Sequence, residues 1–290
     1  MELLSYEADV VVRNAYLVTM DPERRVFQSG ALAVKNGRII SIGPDREIGV
    51  QFESVRTIDA AGAAVHPGFI DNHNHLCLHN MRWAYPEIPD PLHSPDPSAK
   101  SYWDICADEV EYAGSKLASL EMARNGTTCF LEAGTLTTPD AGAKAIEDVG
   151  IRGVLGDPFI FDVHEESVPV IERYPLDTQR AFNSLGSELK RNRDPDGLVR
   201  GHVNLRGMAS ASKDLELAAV TLAQEHGVVL NQHQSYHPND TSSDDRLRGS
   251  HPLVYLWEIG ALRQNCTFAH MNIIRDDEID PIADSSMSVV

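Results

Sequence analysis

The chain has 290 residues, of which 42% are hydrophobic, and carries 43 acidic against 25 basic side chains for a formal net charge of -18. This length is sufficient for one large domain with a smaller one attached, and the apolar content can fill a sizeable core. The negative charge argues against nucleic acid or an anionic membrane as a partner, because their phosphates would be repelled. We therefore expect a neutral or cationic small-molecule substrate, and the composition leaves open whether the chain forms a homo-oligomer.

Targeting and membrane-spanning patterns are not found in the sequence. No run reaches the roughly eighteen apolar residues of a membrane span, and residues 1–9 lack the basic and apolar regions of a secretion signal. The four cysteines are scattered and have no C-x-x-C spacing, which favours free buried thiols. These features predict a cytoplasmic protein.

Residues 1–66 show short apolar runs separated by turn residues, a pattern typical of a small sheet. The dipeptide Asn36-Gly37 lies between two of these runs and is the strongest short-range signal for a β-hairpin. A second turn is predicted at Asn14, between the runs 9–13 and 16–20. We therefore expect a small β domain over residues 1–66.

From residue 67 onward, strand-like apolar runs alternate with helical patterns, which is typical of a parallel α/β domain. The predicted helices cover residues 104–124, 140–149, 178–192, 213–226, 252–262 and 276–283. The predicted strands cover residues 69–75, 127–131, 152–156, 198–205, 228–233 and 266–270, with the beginning of a seventh at 286–290. The polar segment 240–245 is predicted to be a solvated loop. This second domain is expected over residues 67–290.

Two histidines one residue apart end the first of these strands, in the sequence Pro-Gly-Phe-Ile-Asp-Asn-His-Asn-His at residues 67–75. Side chains alternate along a strand, so His73 and His75 point the same way and could share one metal ion. Two imidazoles suit zinc, iron or nickel better than calcium or magnesium. His233 and His270 end the fifth and sixth predicted strands. Each histidine alone is more often a hydrogen-bonded structural residue, so the metal-site prediction depends on all four together.

Residues 67–75 resemble the signature of the amidohydrolase superfamily, Pro-Gly-Phe-Ile-Asp-x-His-x-His. The segments 120–130 and 268–279 are similar to the corresponding segments of its deaminase and chlorohydrolase branch, which includes cytosine deaminases. The resemblance implies an α/β TIM barrel of the (β/α)8 type, with residues 1–66 forming part of a small β-sandwich. A TIM barrel has eight strands, and the sequence predicts six with the start of a seventh. We therefore expect an incomplete barrel in a chain truncated at its C-terminus.

The same resemblance implies the roles of the histidines. In the branch that binds one metal, His73, His75 and His233 correspond to metal ligands, and His270 corresponds to the catalytic residue that hydrogen-bonds the attacking water. The family's remaining ligand, an Asp after the eighth strand, lies beyond residue 290. Relatives with two metals carry a modified Lys after the fourth strand, and residues 198–211 contain no Lys. One divalent ion is therefore expected, with zinc as the first choice and iron as the second.

One position departs from the family pattern. Deaminase and chlorohydrolase relatives often read His-x-x-Glu after the fifth strand, with the Glu as proton shuttle, whereas Tyr236 occupies that position here. The next residue, His237, would suit proton transfer because the unperturbed pKa of histidine is about 6.5. It is equally consistent with a loop histidine before a proline. Both alternatives stay open at this point.

Three residues are predicted to contact the substrate. Arg82 matches a position that is often basic in relatives, Trp83 could stack on a flat heterocycle, and Glu132 ends the second predicted strand. The structural alternative for each is an ion pair or ordinary packing. Asp157 and Arg206, which also end predicted strands, are weaker candidates on the same grounds.

These features predict a metal-dependent hydrolase that cleaves a C–N bond other than a peptide bond, or a C–Cl bond, on a nitrogen heterocycle or cyclic amide. Histidine ligation of a metal would make water a nucleophile near neutral pH. Two alternatives stay open. One is a catalytically inactive fragment of such an enzyme, and the other is a metal- or ligand-binding module that keeps the histidines.

Overall fold

The computed structural model describes residues 6–80, 82, 102–164 and 171–290. Contacts along the chain divide it into two units, Met1–Gly68 and Phe69–Val290. Each unit contains its own sheet and its own buried apolar clusters. The two units are therefore described separately.

The N-terminal unit contains an antiparallel hairpin at the predicted position. Its elements are β1 (Tyr6–Val18), β2 (Val26–Lys35), β3 (Arg38–Pro44), α1 (Asp45–Gln51), β4 (Phe52–Asp59) and β5 (Ala64–Val65). The strand order is β3-β2-β1-β4, with β5 alongside β1. Asn36 and Gly37, with φ angles of 51° and 71°, close the β2–β3 hairpin, and this left-handed backbone is why the Asn-Gly pair is favoured there.

Two features of this unit differ from the prediction. The runs on either side of Asn14 form the single strand β1 instead of two strands joined by a turn, and the positive φ of Asn14 lies at a register shift against β2. A bulge of this kind absorbs one residue without ending the strand. The short helix α1 was not predicted, because its seven residues bury only Ile48 and so carry little helical periodicity.

The C-terminal unit is built on a parallel sheet, as predicted. Within the described residues its strands are β6 (Phe69–Asn74), β7 (Thr127–Glu132), β8 (Arg152–Gly156), β9 (Val199–Gly207), β10 (Leu230–Gln234), β11 (Cys266–His270) and β12 (Ser288–Val289). They lie side by side in chain order, and every neighbouring pair is parallel. This is the architecture of a partial (β/α) barrel, in which all carboxyl ends lie at one edge.

Helices connect these strands. They are α2 (Tyr102–Ile105), α3 (Asp108–Arg124), α4 (Pro139–Val149), α5 (Thr178–Ser184), α6 (Lys213–Glu225), α7 (Pro238–Arg248), α8 (Pro252–Glu258) and α9 (Asp276–Ser285), with 3-10 turns at Leu76–Asn80 and Ser187–Arg193. The prediction of a solvated loop over 240–245 was wrong, because these residues lie in α7 and several of their polar side chains are buried. No helix in the described ranges is long and apolar enough to span a bilayer.

The largest apolar cluster holds the strands that carry His233 and His270. Leu205 of β9, Leu230 of β10 and Phe268 of β11 are fully buried in it, against Leu215 of α6 and Leu253 of α8. Burying one such side chain contributes about 1.5–3 kcal/mol. The core thus fixes the relative positions of β9, β10 and β11, and with them the geometry at their carboxyl ends.

The carboxyl end of β9 passes very close to β10. Gly207 pairs with His233 and has a φ of 77°, a left-handed conformation that only glycine adopts at little cost. A Cβ atom at this position would overlap the carbonyl oxygen of His233. Glycine is therefore required here both for its backbone conformation and for its lack of a side chain.

We expect Gly207→Ala to destabilise the protein by about 3 kcal/mol or more, because left-handed strain of about 1–2 kcal/mol adds to a steric overlap with backbone. Gly227→Ala is the matched control, since Gly227 has a φ of 63° but no atom within 4 Å of the added Cβ. The Gly227→Ala variant should therefore lose only the free energy of the left-handed backbone strain. Urea denaturation of both variants tests this, and equal losses would contradict it.

Candidate metal centre

Four histidines lie together at the carboxyl ends of the parallel strands. His73 is in β6, His75 is the first residue after β6, His233 is in β10 and His270 ends β11. Ligand nitrogens of His73, His233 and His270 all lie within 4.8 Å of one another. Nε2 of His75 lies 3.1 Å from Nε2 of His233. The sheet therefore brings together all four predicted histidines.

The geometry and the unpaired nitrogens fit a divalent metal ion. Two nitrogens bound at about 2.0–2.1 Å to one tetrahedral zinc lie about 3.3 Å apart, close to the spacing of the two Nε2 atoms. Both ring nitrogens of His73 are buried and have no hydrogen-bond partner within the described part of the chain. Buried polar atoms are almost always paired, so the two unpaired nitrogens of this imidazole fit coordination to a metal ion.

Burial keeps these imidazoles uncharged. Burial, with a smaller contribution from the neighbouring histidines, lowers the pKa of His73 to about 4 and of His75 to about 3. The pKa of His233 is also lowered well below its usual value, chiefly by burial. The neutral form is the one that binds metal, so little proton release need accompany binding at pH 7.

His270 is held by its backbone at the edge of this cluster. Its φ is 78°, its N–H donates to the carbonyl oxygen of Val290 at 2.9 Å, and its ring stacks on that of His233 at 5.4 Å. Burial lowers its pKa, while the charge of Asp240 opposes that shift. A partly accessible imidazole beside a metal-binding cluster can act as a proton acceptor.

Tyr236 and His237 follow β10, where the family pattern has a Glu nearby. The ring of Tyr236 lies 4.7 Å from that of His270. His237 is exposed and is the N-cap of α7, with its Nδ1 accepting the backbone N–H of Asn239 at 3.2 Å. Of the two alternatives for His237, these contacts favour a structural one, and its role in proton transfer stays a prediction.

Sequence reasoning missed Asp240, which is almost fully buried at the start of α7. Its carboxylate accepts the backbone N–H of His237 at 2.9 Å, completing a capping box. Burial raises the pKa of Asp240, while this hydrogen bond and the charge of Arg206 oppose that shift. Because the capping signal is a Pro followed two residues later by Asp, it could have been recognised in the sequence.

The three predicted substrate-binding residues have different surroundings. Arg82 donates from one nitrogen to both carboxylate oxygens of Glu121, at 2.9 Å each. Glu132 is fully buried, and its side chain accepts hydrogen bonds from the turn that follows β7. Trp83 lies outside the described residues. Substrate contact by these residues stays a prediction, and the bonds observed for Arg82 and Glu132 are structural.

Asp157, just after the end of β8, makes hydrogen bonds within the fold, and substrate contact by it stays a prediction. Its carboxylate accepts the backbone N–H groups of Gly186 at 2.8 Å and Glu188 at 3.1 Å, and the hydroxyl of Ser187 at 3.2 Å. Burial raises its pKa to about 6 in spite of these bonds. This carboxylate therefore anchors the second 3-10 turn to the sheet.

A parallel α/β sheet with clustered histidines at its carboxyl edge is the arrangement of a metal-binding barrel. The model of the amidohydrolase family matches residues 64–289, and the chain belongs to that family. The family assignment made from residues 67–75 is thus confirmed.

The chain is similar to two deaminases from other organisms. The 5-methylthioadenosine/S-adenosylhomocysteine deaminase of Nitratidesulfovibrio vulgaris is 28% identical over 283 residues, which cover 97% of this chain and 61% of the relative. The 5'-deoxyadenosine deaminase of Methanosarcina mazei is 35% identical over 164 residues, covering 55% of this chain and 35% of the relative.

Two solved structures share the fold. An adenosine deaminase from Xanthomonas campestris with bound zinc has a TM-score of 0.80 at 23% identity, covering 98% of this chain and 62% of that one. Atrazine chlorohydrolase from Arthrobacter aurescens, complexed with zinc, has a TM-score of 0.77 at 21% identity, covering 97% and 64%. This chain therefore spans less than two thirds of the length of each of these proteins.

The low pKa of His75 gives a testable pH dependence. The unfolded histidine has a pKa of about 6.5, so below that pH the unfolded state binds more protons than the folded state. The free energy of unfolding of the metal-free protein should therefore fall as the pH drops from about 6.5 towards about 3. Relative to His75→Asn, the wild type should lose up to about 1.4 kcal/mol per pH unit. Urea denaturation in a chelator measures this, and parallel pH profiles would contradict it.

The two roles considered for His237 predict different behaviour of two variants. Asn is a good N-cap and Ala is a poor one, so a capping role predicts that His237→Asn keeps its stability while His237→Ala loses about 1 kcal/mol. Denaturation and turnover are measured together. Loss of turnover in both variants, with stability intact in the Asn variant, would support proton transfer instead.

Proposed function

We propose that this chain carries the metal-binding part of a hydrolase that removes an amino group from a nitrogen heterocycle. The observation that carries the proposal is the cluster of neutral, buried histidines at the carboxyl edge of the sheet. The deaminase names of the relatives support the substrate class. A purine nucleoside is the first substrate to test, because the relatives named above act on adenosine derivatives.

In this proposal His73, His75 and His233 hold one divalent ion, with zinc as the first choice. Three protein ligands and one open position are typical of catalytic zinc, whereas structural zinc has four protein ligands. When bound, zinc would lower the pKa of water to about 7 and polarise the substrate. The rest of the chemistry belongs to the side chains around the ion.

His270 is proposed as the acid/base residue. A neutral nitrogen of the His270 imidazole can take a proton from the attacking water as the water oxygen bonds to a carbon of the substrate heterocycle. The same proton can then pass to the amino nitrogen, so that the C–N bond breaks and ammonia leaves. Such proton transfer typically contributes about 10²–10⁴-fold to the rate.

A second candidate is hydrolysis of a carbon–chlorine bond. Tyr236 stands where the family pattern has a proton-shuttling Glu, and chloride leaves without needing a proton. Tyrosine is a much weaker acid than a carboxyl group, with a pKa of about 10. The substitution therefore favours a leaving group that needs no protonation, and a chlorinated heterocycle belongs in the substrate screen.

The first test is the metal content and turnover of the 290-residue chain. We expect about one equivalent of zinc, and release of ammonia or chloride from one class of heterocycle. The triple variant in which His73, His75 and His233 become Ala is the control and should hold no metal. A wild-type protein that binds zinc no better than this control would overturn the proposed function.

His270→Asn separates catalysis from metal binding. We expect kcat to fall by about 10²–10⁴-fold while the zinc content stays at the wild-type level, because the residue moves a proton and does not hold the ion. Elemental analysis and steady-state kinetics on the same sample decide this. Loss of zinc together with activity would make His270 a ligand, in agreement with its distance from His73 and His233.

A further inference from the structure

The turn after β7 folds back onto a buried carboxylate. Glu132, which has no exposed surface, accepts the backbone N–H of Gly134 at 2.8 Å and the N–H of Thr135 at 2.9 Å. The hydroxyl of Thr135 also lies 2.7 Å from Oε1 of Glu132. Three donors thus converge on one carboxylate that is shielded from water.

The hydroxyl of Thr135 connects this carboxylate to the histidine cluster. Its oxygen lies 3.0 Å from Nδ1 of His75. Two backbone N–H groups already donate to the Glu132 side chain, which favours its ionised form, and an ionised carboxylate can only accept. The single proton of the Thr135 hydroxyl therefore points to Glu132. Towards His75 the hydroxyl therefore presents a lone pair, and Nδ1 of His75 must be the donor.

This direction of hydrogen bonding fixes which nitrogen of His75 is free. With the proton on Nδ1, the lone pair lies on Nε2, which faces Nε2 of His233 at 3.1 Å. His233 is fixed in the same sense, because its Nδ1 lies 3.2 Å from the carbonyl oxygen of Arg206, which also can only accept. Two lone pairs facing each other at this distance repel, and a cation between them removes the repulsion.

We propose that Glu132 and Thr135 form a carboxylate–hydroxyl–imidazole relay that selects the metal-binding tautomer of His75 and thereby sets the affinity of the metal centre. Both are positioning residues, since they act through His75. The metal part of this inference rests on the proposed function, whereas the tautomer part concerns the metal-free protein. Partners that orient metal-bound histidines typically change metal affinity by about 10–100-fold when removed.

The alternative is that Glu132 and Thr135 only stabilise the turn. A second threonine in the same segment provides the control. The hydroxyl of Thr137 donates to Oε2 of buried Glu111 at 2.7 Å, and its backbone N–H does so at 2.7 Å. Thr137 therefore makes the same kind of hydrogen bond to a buried carboxylate, but this bond connects the turn to helix α3.

The experiment compares Thr135→Val, Thr135→Ser and Thr137→Val with the wild-type chain. Zinc affinity is measured by competition with a chromophoric chelator, and stability by urea denaturation. Thr135→Val should weaken zinc binding by about 10–100-fold, while Thr135→Ser keeps the hydroxyl and should stay within about threefold of the wild type. Thr137→Val should lose comparable stability but keep its zinc affinity.

A second readout needs no metal. Nitrogen-15 NMR of the histidine side chains in the metal-free wild type should show the proton of His75 on Nδ1, and Thr135→Val should shift it towards Nε2. The proposal is overturned by a proton on Nε2 in the wild type, or by equal zinc affinity of Thr135→Val and Thr137→Val. If the wild type binds no zinc, the proposed function fails, and the tautomer of His75 still decides whether the relay exists.

Discussion

Keeping several imidazoles uncharged and out of water is the constraint on which the C-terminal unit depends. Each buried ring nitrogen needs a partner, and the chain provides one for His233 through the carbonyl of Arg206 and one for His75 through Thr135. His73 has none within the described residues. These buried imidazoles repel each other when their polar atoms lack partners. The apolar cluster beneath β9, β10 and β11 nevertheless holds the strands that carry them close together.

The strand ends that carry the site depart sharply from extended geometry. Gly207, Ser235 and His270 lie at or just beyond the ends of three neighbouring strands, and all have positive φ angles between 53° and 78°. For a residue with a side chain this conformation costs about 1–3 kcal/mol. The sheet thus gives up some stability at the strand ends that carry the site, as is common for strained backbone at functional sites.

Much of the sheet could be predicted because buried parallel strands are nearly continuous apolar runs. The strands 152–156 and 266–270 were predicted with the bounds that the structure has. The helix α7 was missed because nearly all its residues are polar and several of its acidic side chains are buried. Gln234, which lies before the helix, donates to Asp244, and no periodic pattern predicts that contact. Arg248 pairs with the same carboxylate at the i,i+4 spacing of a helix, a local signal that could have been recognised.

The residue types of the site could be predicted from the sequence, but the residues that hold the histidines in position could not. Histidines at strand ends follow from the alternation of side chains and from the family signature, so all four could be named from the sequence. The contribution of Thr135 depends on a tight turn at Gly134, with a φ of 71°, that returns the chain to the end of its own strand. Loop conformations of this kind are set by tertiary packing, which the sequence does not display.

The strand order of the sheet has a consequence for how the centre forms. His75 and His233 are 158 positions apart in the chain, although their side chains are in contact. Bringing such distant segments together requires every intervening strand to be added, and non-local pairing of this kind makes folding slow. Ligand binding to the folded state alone shifts the folding equilibrium towards it. An ion held between the first and fifth strands of this sheet would therefore stabilise the pairing of all the strands between them. Release of the ion would report local opening of any of these five strands.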